Sequence, residues 1–435
     1  MHLAAAPATP SSFSASLAAF DALGPFEPAP HLAVAVSGGS DSMALALMAH
    51  DWAQARGGQI TVLTIDHGLR PESAQEVQQV AQWMASHGIA CEIMRIEVPR
   101  EGNLQAHARD ARYEALTTWC RTHNVLHLCL GHHRDDQAET IALHRARGAT
   151  ADGDSGMAAV SLRQGVRLLR PLLGHSKHWL QTQLYLRGQS WLEDPSNTSD
   201  AYARNRLRGT LSSKNLLAVA THKGLLRAQR EYHFAREVAP IVQLYTEGYA
   251  TMTLAAFRAL PEAQASLLLA NLLRTLSGAP SRPRAHETKR MLRMLRLLPK
   301  AVTTLAGYRM EHDGITASFV RESGRIRSHF FLPASGHMRY DGRFDLHWQN
   351  IPPAAFISSL GHLPRRKREQ LAPHLPKAVM ETLPALQGVA DVLCVPHIGY
   401  AHPSMPADAR FSVTFSPAKP LAASPFWCLN ASETV

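Results

Sequence analysis

The feature that most constrains this chain is a regular alternation of short apolar runs and longer helical patterns across its N-terminal third. The apolar runs are β-branched or are followed by Gly, His or Pro, which is typical of short strands. They lie at Leu32–Val36, Gln59–Asp66, Cys91–Val98 and Val125–Gly131. The helical patterns lie at Asp41–Arg56, Ser73–His87, Leu104–His123 and Asp135–Arg147. This order predicts right-handed βαβ units that form a parallel sheet.

Polar segments follow three of these four runs, at the points where the predicted strands end. They read SGGSDS after the first run, DHGLRPES after the second and GHHRDD after the fourth. In parallel sheets, ligands bind outside the carboxyl ends of the strands. The sequence therefore predicts one functional site at this edge of the sheet.

The rest of the chain changes character twice, which predicts three domains. Residues 1–215 are expected to form an α/β domain with a Rossmann-like parallel sheet and helices on both faces. Residues 216–320 read as a mainly helical domain, and residues 321–435 as a small α/β domain with short strands. The segment KRMLRMLRLLPK carries Lys289, Arg293, Arg296 and Lys300 on one helical face, which would be either a solvated surface or an RNA contact.

Charge and composition limit the class of partner. The net charge of +10 favours a polyanionic partner such as nucleic acid, although a merely basic protein stays an alternative. No apolar run reaches the roughly 18 residues that a membrane span needs, and the N-terminus lacks the features of a signal peptide. Five scattered cysteines without a CxxC pair fit a reducing cytoplasm.

The segment SGGSDS has the features of an anion site. Its glycines let the backbone approach a ligand closely, and the helix that follows presents free N–H groups. It matches neither the Walker A loop, which requires a Gly-Lys pair, nor the dinucleotide-binding glycine pattern. Asp41 would then lie beside a polyanion, which is favourable mainly when a Mg²⁺ ion lies between them.

SGGSDS resembles the SGGxDS motif of the PP-loop ATP pyrophosphatases, which cleave ATP between the α and β phosphates and adenylate a substrate. The resemblance implies ATP as the nucleotide and Mg²⁺, with Asp41 as its ligand. The ATP-binding residues that it implies are Ser37, Gly38, Gly39, Ser40, Asp41 and Ser42.

Four further stretches resemble one branch of that superfamily, the tRNA(Ile)-lysidine synthetases. They are DHGLRPES, NLQAHARDARYEAL with Gln105 where Glu is usual, GHHRDDQAET, and WLEDPSNTSDAYARNRLR. The resemblance is close over residues 30–210 and loose beyond them. It departs at RGATADGDSGM, where Asp154 occupies a position at which this family usually has Leu.

This resemblance implies a ligase that joins free lysine to C2 of the wobble cytidine of an isoleucine tRNA with a CAU anticodon. ATP would first adenylate the base and release pyrophosphate, and the lysine amine would then displace AMP to give lysidine. The modified anticodon would read AUA instead of AUG. The oligomeric state stays open, with a homodimer as one alternative.

Lysine arrives protonated, so its attack needs a base or an acidic pocket. We expect His132, Asp136 and Glu139 to act with Asp41 in catalysis, without assigning the base, while His133 could equally form a hydrogen bond in the core. Arginines that would contact RNA phosphates or the leaving group, or else form ion pairs within the domain, are Arg109, Arg112, Arg204 and Arg208.

Two rival functions remain. A tRNA thiolase of the same superfamily would share GHHRDD, but sulfur transfer generally needs paired cysteines, and the one cysteine near a strand end is Cys129. A catalytically inactive, basic RNA-binding protein is the second rival, which the intact SGGSDS segment makes less favourable.

Overall fold

A computed structural model gives the structure of the protein. It describes residues 17–68, 72–96, 104–146, 152–193, 213–279, 281–326, 330–361, 371–389, 391–417, 419–422 and 426–428. The chain divides into two compact units. The first unit comprises Met1–Glu231 and Ser424–Val435, and the second comprises Tyr232–Ala423. Among the described residues, no helix is both long enough and apolar enough to cross a membrane.

The first unit is built on a six-stranded sheet with the strand order β3-β2-β1-β4-β6-β5. The strands are β1 (His31–Ala35), β2 (Gln59–Asp66), β3 (Ala90–Arg95), β4 (His127–Cys129), β5 (Val160–Arg163) and β6 (Val166–Leu169). All neighbouring pairs are parallel except β5 and β6, which form an antiparallel hairpin at the edge. The predicted parallel α/β sheet is therefore confirmed, and β5 is an addition that the sequence pattern did not indicate.

Helices cover both faces of this sheet. The helices among the described residues of this unit are α1 (Ser40–Gln54), α2 (Ser73–Ser86), α3 (Leu104–Thr122), α4 (Arg134–Ala146), α5 (Lys177–Leu186) and α6 (Ser213–Val238). Helix α6 packs on α4 through Ala220 and Ile141, and its last residues belong to the second unit. Side chains of β1 alternate between two cores, as the period of a strand requires. Leu32 and Val34 pack with α1, whereas Ala33 and Ala35 pack with the α3 side chains around Tyr113.

Helix α1 is buried almost all round, from Met43 through Ala49 and again at Trp52. Its sequence explains this placement because it is apolar on every face rather than along one stripe. A helix held this firmly by its packing also fixes the direction of its N-terminus. That N-terminus lies immediately after the SGG turn that ends β1.

The sheet reverses its strand order between β1 and β4, because the chain first runs outward through β2 and β3 and then returns to the other side of β1. The carboxyl ends of adjacent strands diverge at such a point, and ligands bind in the crevice that this leaves. The segments that begin at Val36 and Leu130 follow these two strands. The fold therefore brings SGGSDS and GHHRDD together.

The second unit contains three antiparallel sheets, with the orders β7-β8-β11-β10-β9, β12-β15-β16-β17-β18 and β13-β14-β19. Its strands are β7 (Val242–Leu244), β8 (Ala250–Thr253), β9 (Ala301–Leu305), β10 (Tyr308–His312), β11 (Thr316–Arg321), β12 (Phe330–Phe331), β13 (Gly336–Tyr340), β14 (Phe344–Gln349), β15 (Phe356–Ser359), β16 (Pro384–Gln387), β17 (Val392–Val395), β18 (Tyr400–Ala401) and β19 (Arg410–Phe415). Its own helices among the described residues are α7 (Leu254–Ala259), α8 (Glu262–Ser277), α9 (Ala285–Leu297) and α10 (Lys377–Met380).

The region expected to be mainly helical thus contains both helices and a sheet, since α8 and α9 pack on strands β8, β10 and β11 in one core. Helix α9 buries Met291, Leu292 and Leu295. Its Lys289 and Arg293 are exposed, whereas the Arg296 guanidinium donates to the carbonyl of Leu260. Lys300 lies beyond the end of α9, because the proline before it cannot continue a helix.

Candidate active site

Two hydrogen bonds of the Ser42 hydroxyl stabilise the turn between β1 and α1. The Ser42 hydroxyl accepts a hydrogen bond from the Ser37 N–H at 3.2 Å and donates one to the Gly39 carbonyl at 2.9 Å. Helix α1 begins at Ser40 with no side-chain cap. The N–H groups of its first turn therefore point out of the helix without an intrahelical acceptor, at the end of the helix dipole that attracts anions. This arrangement fits the phosphates of a nucleotide.

Gly38 cannot be replaced in this turn without rearrangement. Its φ angle is +89°, a conformation that residues with a side chain rarely adopt, and a Cβ atom there would lie 2.5 Å from Cδ1 of Leu192. The Gly38 carbonyl also accepts a hydrogen bond from the Leu192 N–H at 2.8 Å. Leu192, in the WLEDPSN segment, is therefore packed against this turn, which we call the phosphate turn (residues 36–39). Residues 194–212 lie outside the described residues.

His133 lies at the centre of a group of three carboxylates. Its Nε2 atom is 3.5 Å from Asp41 and 3.7 Å from Asp136, and its Nδ1 atom is 3.7 Å from Asp135. The backbone also fixes the ring, because the Asp135 N–H donates to Nδ1 at 3.1 Å and the His133 N–H donates to Asp136 at 2.9 Å. With Nδ1 accepting, the neutral ring carries its proton on Nε2, facing Asp41 and Asp136.

These neighbours shift the pKa values in different directions. Burial lowers the pKa of His133, but the hydrogen bond to Asp41 and the surrounding carboxylates raise it overall. Burial works against ionisation of Asp41, yet His133 and then Lys177 hold the pKa of Asp41 below its usual value. Burial raises the pKa of Asp136, and the nearby carboxylates add to the increase. Within one cluster, the pKa of Asp41 is thus lowered and that of Asp136 is raised. Neighbouring carboxyls with separated pKa values are typical of sites that carry out acid–base chemistry.

Lys177 adds a cation to this group. Its ammonium nitrogen lies 3.9 Å from the Asp41 carboxylate, and its backbone N–H donates to the Asp135 carboxylate at 3.1 Å. The Arg134 N–H donates to the carbonyl of His175 at 2.8 Å, so the N-termini of α4 and α5 meet beside the phosphate turn. Sequence reasoning missed Lys177, because nothing in the pattern of α5 indicates which strand end its first residue approaches.

His132 lies in an environment of the opposite sign. Burial, together with the positive charges of Arg170, Arg109 and Arg112, lowers its pKa to about 3, so the ring is neutral at physiological pH. Its buried Nδ1 atom has no hydrogen-bond partner among the described residues. The two adjacent histidines therefore separate an acidic cluster around His133 from a basic cluster around His132.

Arg170 is the member of the basic cluster that sequence reasoning missed. It directly follows β6, so the rule about the carboxyl ends of strands would have identified it. The guanidinium donates to the carbonyl of Ala158 at 2.8 Å and to the Ser161 hydroxyl at 3.0 Å, while its buried Nε has no partner among the described residues. Burial lowers the pKa of Arg170.

The remaining predicted site residues lie partly inside and partly outside the described part of the chain. Arg109 and Arg112 lie on α3, both exposed, and contribute to the potential at His132. Glu139 lies half-buried on α4, one turn after Asp135. Arg204 and Arg208 lie outside the described residues, so their predicted contacts stay predictions.

Asp66 and Asp154 each hold a loop in place by hydrogen bonds or ion pairs. Asp66, at the end of β2, accepts hydrogen bonds from the Ser73 hydroxyl at 2.7 Å and the Gly68 N–H at 2.9 Å, and these bonds lower its pKa. Asp154, the residue that departs from the family pattern, pairs with Arg145 on α4 at 2.8 Å and with Lys223 on α6 at 2.6 Å. The turn Gly153–Ser155 is thus joined through Asp154 to helices α4 and α6.

No group of three or more metal-binding side chains forms among the residues that the structure describes. Asp41 and Asp136 offer two carboxylates next to the phosphate turn. A pair of carboxylates fits Mg²⁺, which commonly takes one or two protein carboxylates and completes its shell with phosphate oxygens and water. The donor set therefore fits an ion that arrives with a nucleotide rather than one held by the protein alone.

Comparison with known proteins agrees with this geometry. Residues 12–215 match the family model described as a PP-loop domain. A tRNA(Ile)-lysidine synthase of the Wolbachia endosymbiont of Brugia malayi is 34% identical over 327 residues, which cover 72% of this chain and 76% of that protein. The synthase of Wolbachia pipientis wMel is 31% identical, with 85% and 89% covered. That of Orientia tsutsugamushi is 30% identical, with 87% and 91% covered.

Proposed function

Because the chain belongs to the tRNA(Ile)-lysidine synthase family and carries its PP-loop domain, we propose that it joins free lysine to C2 of the wobble cytidine of an isoleucine tRNA with a CAU anticodon. Members of this family are ligases, and the PP-loop domain uses ATP. One observation supports the proposal most directly: the phosphate turn, the acidic cluster and the basic cluster lie at one edge of one sheet. The reaction needs a site for the ATP phosphates, carboxylates that accept a proton from lysine, and cations that bind RNA phosphates, and these are what the three groups of residues would supply.

In the first step, the cytidine carbonyl oxygen at C2 attacks the α phosphorus of ATP, and pyrophosphate leaves. The free N–H groups at the start of α1 and the hydroxyls of Ser37 and Ser40 would bind the phosphates, while Ser42, whose hydroxyl donates to the Gly39 carbonyl, would hold the turn in shape. Charge gathers on the leaving group, so fixed donors stabilise the transition state more than the ground state. Mg²⁺, held by Asp41 with Asp136 nearby, would neutralise phosphate charge.

In the second step, the neutral ε-amine of lysine attacks C2, and AMP leaves with the oxygen that it received in the first step. Lysine binds as an ammonium ion, so a carboxylate must accept its proton. Asp136 and Glu139 are the candidate bases: Asp136 lies 3.7 Å from His133 in the acidic cluster, and Glu139 lies one turn further along α4. The product is lysidine, which reads AUA instead of AUG.

Basic residues outside the phosphate turn would bind the tRNA. Arg109, Arg112 and Arg170 support phosphate binding beside His132. The exposed Lys289 and Arg293 of α9 support contacts with RNA from the second unit. Salt-dependent binding follows from such contacts, because each neutralised phosphate releases counterions. We also place the enzyme in the cytoplasm, where tRNA and free lysine occur together.

The test is to incubate the protein with ATP, labelled lysine, labelled arginine and unmodified isoleucine tRNA. Incorporation of lysine alone into the RNA supports the proposal, and absence of both labels from the RNA contradicts it. A thiolase would instead insert sulfur, for which Cys129 is poorly suited because it is fully buried in β4 and burial raises its pKa. An inactive RNA-binding protein would bind the tRNA and release no pyrophosphate.

A further inference from the structure

Three residues from the far end of the sequence, Phe426–Cys428, pack on helix α6 within the first unit; we call them the returning segment. Phe426 is only 6% exposed, and its ring lies 4.6 Å from the guanidinium carbon of Arg227. Its N–H donates to the carboxylate of Glu231 at 2.8 Å, and Arg227 donates to the other oxygen of that carboxylate at 2.8 Å. A cation–π contact with Arg227 and a backbone hydrogen bond to Glu231 therefore hold Phe426 on helix α6.

Helix α6 has a glycine where the returning segment crosses it. A Cβ atom on Gly224 would lie 2.3 Å from the sulfur of Cys428 and 3.0 Å from a ring carbon of Phe426. Glycine inside a helix costs about 1 kcal/mol relative to alanine, so close approach of another segment is the physical reason for its presence. The helix sequence is therefore adapted to this contact.

The middle residue of the returning segment reaches the sheet. The Trp427 carbonyl accepts a hydrogen bond from the N–H of Ala159 at 2.8 Å, and its indole N–H donates to the carbonyl of Ala22 at 3.0 Å. Ala159 is completely buried, immediately before β5. The returning segment thus supplies the acceptor for a buried amide that would otherwise lose its hydrogen bond.

The same short stretch of backbone holds Arg170. The Arg170 guanidinium donates to the carbonyl of Ala158 at 2.8 Å, and the backbone N–H of Arg170 donates to the carbonyl of Ala159 at 2.9 Å. A continuous path of hydrogen bonds therefore runs from Trp427 through Ala159 to Arg170. It ends in the basic cluster around His132.

We propose that the returning segment is a positioning element for the active site: it fixes Ala158–Ala159 and thereby directs the Arg170 guanidinium into the basic cluster, where it binds phosphate groups of the tRNA or of the leaving pyrophosphate. The phosphate-binding role rests on the proposed function, whereas the positioning of Arg170 does not. Phe426, Trp427 and Gly224 are then residues that affect the site without touching a substrate.

The first test uses Phe426→Ala, which removes the ring that packs on α6, and Gly224→Val, whose side chain would occupy the space taken by Phe426 and Cys428. Both variants should increase amide hydrogen exchange at Ala159 by at least tenfold, because its acceptor is lost. Tyr185→Ala is the control, since that side chain is 80% exposed on α5 of the same unit and should leave exchange unchanged. Unchanged exchange in both test variants would overturn the proposal.

The second test asks whether the segment acts through Arg170. The NMR titration of His132 serves as the readout, because Arg170→Ala removes a positive charge and should raise the pKa of His132 from about 3. Phe426→Ala should raise it as well, Phe426→Tyr should not, and Phe426→Ala should add nothing in the Arg170→Ala background. Additive shifts, or no shift with Phe426→Ala, would contradict positioning through Arg170.

Binding of the isoleucine tRNA then tests the phosphate role. If Arg170 holds a tRNA phosphate, Arg170→Ala and Phe426→Ala should each weaken tRNA binding roughly tenfold; if it holds the leaving pyrophosphate, they should slow pyrophosphate release by the same factor with tRNA binding unchanged. In either case the double variant should be no weaker than Arg170→Ala, and unchanged binding and release in both variants would contradict the phosphate role. If the unmodified protein neither binds the tRNA nor releases pyrophosphate, the proposed function fails, while the exchange and titration results still decide the positioning of Arg170.

Discussion

The Nε2 atom of His133 lies 3.5 Å from a carboxylate oxygen of Asp41. This contact joins the phosphate turn after β1 to the start of α4, so the two segments at the reversal of strand order act as one site. It also makes Asp41 and His133 sensitive to each other's protonation.

Asp41→Asn should lower the pKa of His133. The substitution removes both the hydrogen bond and the negative charge that raise this pKa, and burial, which lowers it, is left in place. NMR titration of the imidazole protons measures the shift. Asp51→Asn, on the same helix and paired with Arg187, is the matched control and should leave the titration unchanged. An equal shift in both variants would show that the effect is not local.

His133 should make the stability of the protein depend on pH. Its pKa is raised in the folded state above its ordinary value of 6.5, so the folded protein binds the proton more tightly than the unfolded chain. The stabilisation is complete below that value and is lost as pH rises through the raised pKa. Urea unfolding should therefore show that the stability difference between the unmodified protein and His133→Gln shrinks from pH 5.5 to pH 9. A difference that grows with pH would refute this sign.

Asp41→Ala should reduce pyrophosphate release from ATP and tRNA roughly a hundredfold or more, the effect typical of losing a preorganised charge at the reacting phosphates. The control is Glu311→Gln, which removes an exposed ion pair with Arg309 in the second unit. Pyrophosphate release within a few-fold of the unmodified rate in Asp41→Ala would contradict its assignment to the site.

Gly38→Ala should destabilise the first unit by about 1–3 kcal/mol, since a side chain meets both an unfavourable φ and the side chain of Leu192. Thermal unfolding measures the loss, and ATP affinity should fall with it. Adding Leu192→Ala should recover part of the stability, because it opens space and leaves the φ strain. Gly324→Ala, where a Cβ has no neighbour within 4 Å, should behave like the unmodified protein.

Asp154→Leu restores the residue usual in the family and should cost about 1 kcal/mol of stability, since Arg145 and Lys223 lose their partner. The hydrogen bonds from Arg145 and Lys223 lower the pKa of Asp154, so its contribution is present at neutral pH and is lost as pH falls through that lowered value. Denaturant unfolding at pH 7 and pH 3 checks this. A cost that is the same at both pH values would point to packing instead of charge.

The sequence predicted the parallel sheet, because alternating strands and helices have different periods and turn residues. Helices α1 to α4 begin and end within two residues of their predicted bounds. The hairpin partner β5 was missed, since its four residues, VSLR, form no continuous apolar run and are too few to show an alternating pattern. Short strands of this kind are stabilised by pairing, which sequence periodicity does not report.

Within the site, the sequence predicted the residues of the phosphate turn, His132 and Asp136, and the structure places Asp41 and Asp136 beside His133 rather than His132. The two histidines are neighbours in one motif, and only the direction of each ring separates the acidic cluster from the basic one. Lys177 and the returning segment were missed for a related reason. Both reach the site through contacts between residues far apart in the sequence, and no local pattern carries that information.

The hydrogen bond between Ala159 and Trp427 also has a consequence for biosynthesis. A ribosome releases the chain from its N-terminus, so Ala159 emerges long before Trp427, and the whole second unit is made between them. The acceptor of this buried amide therefore reaches the first unit only after the whole second unit has been synthesised. A chain truncated within the second unit lacks Trp427 and therefore the carbonyl that accepts the hydrogen bond from Ala159.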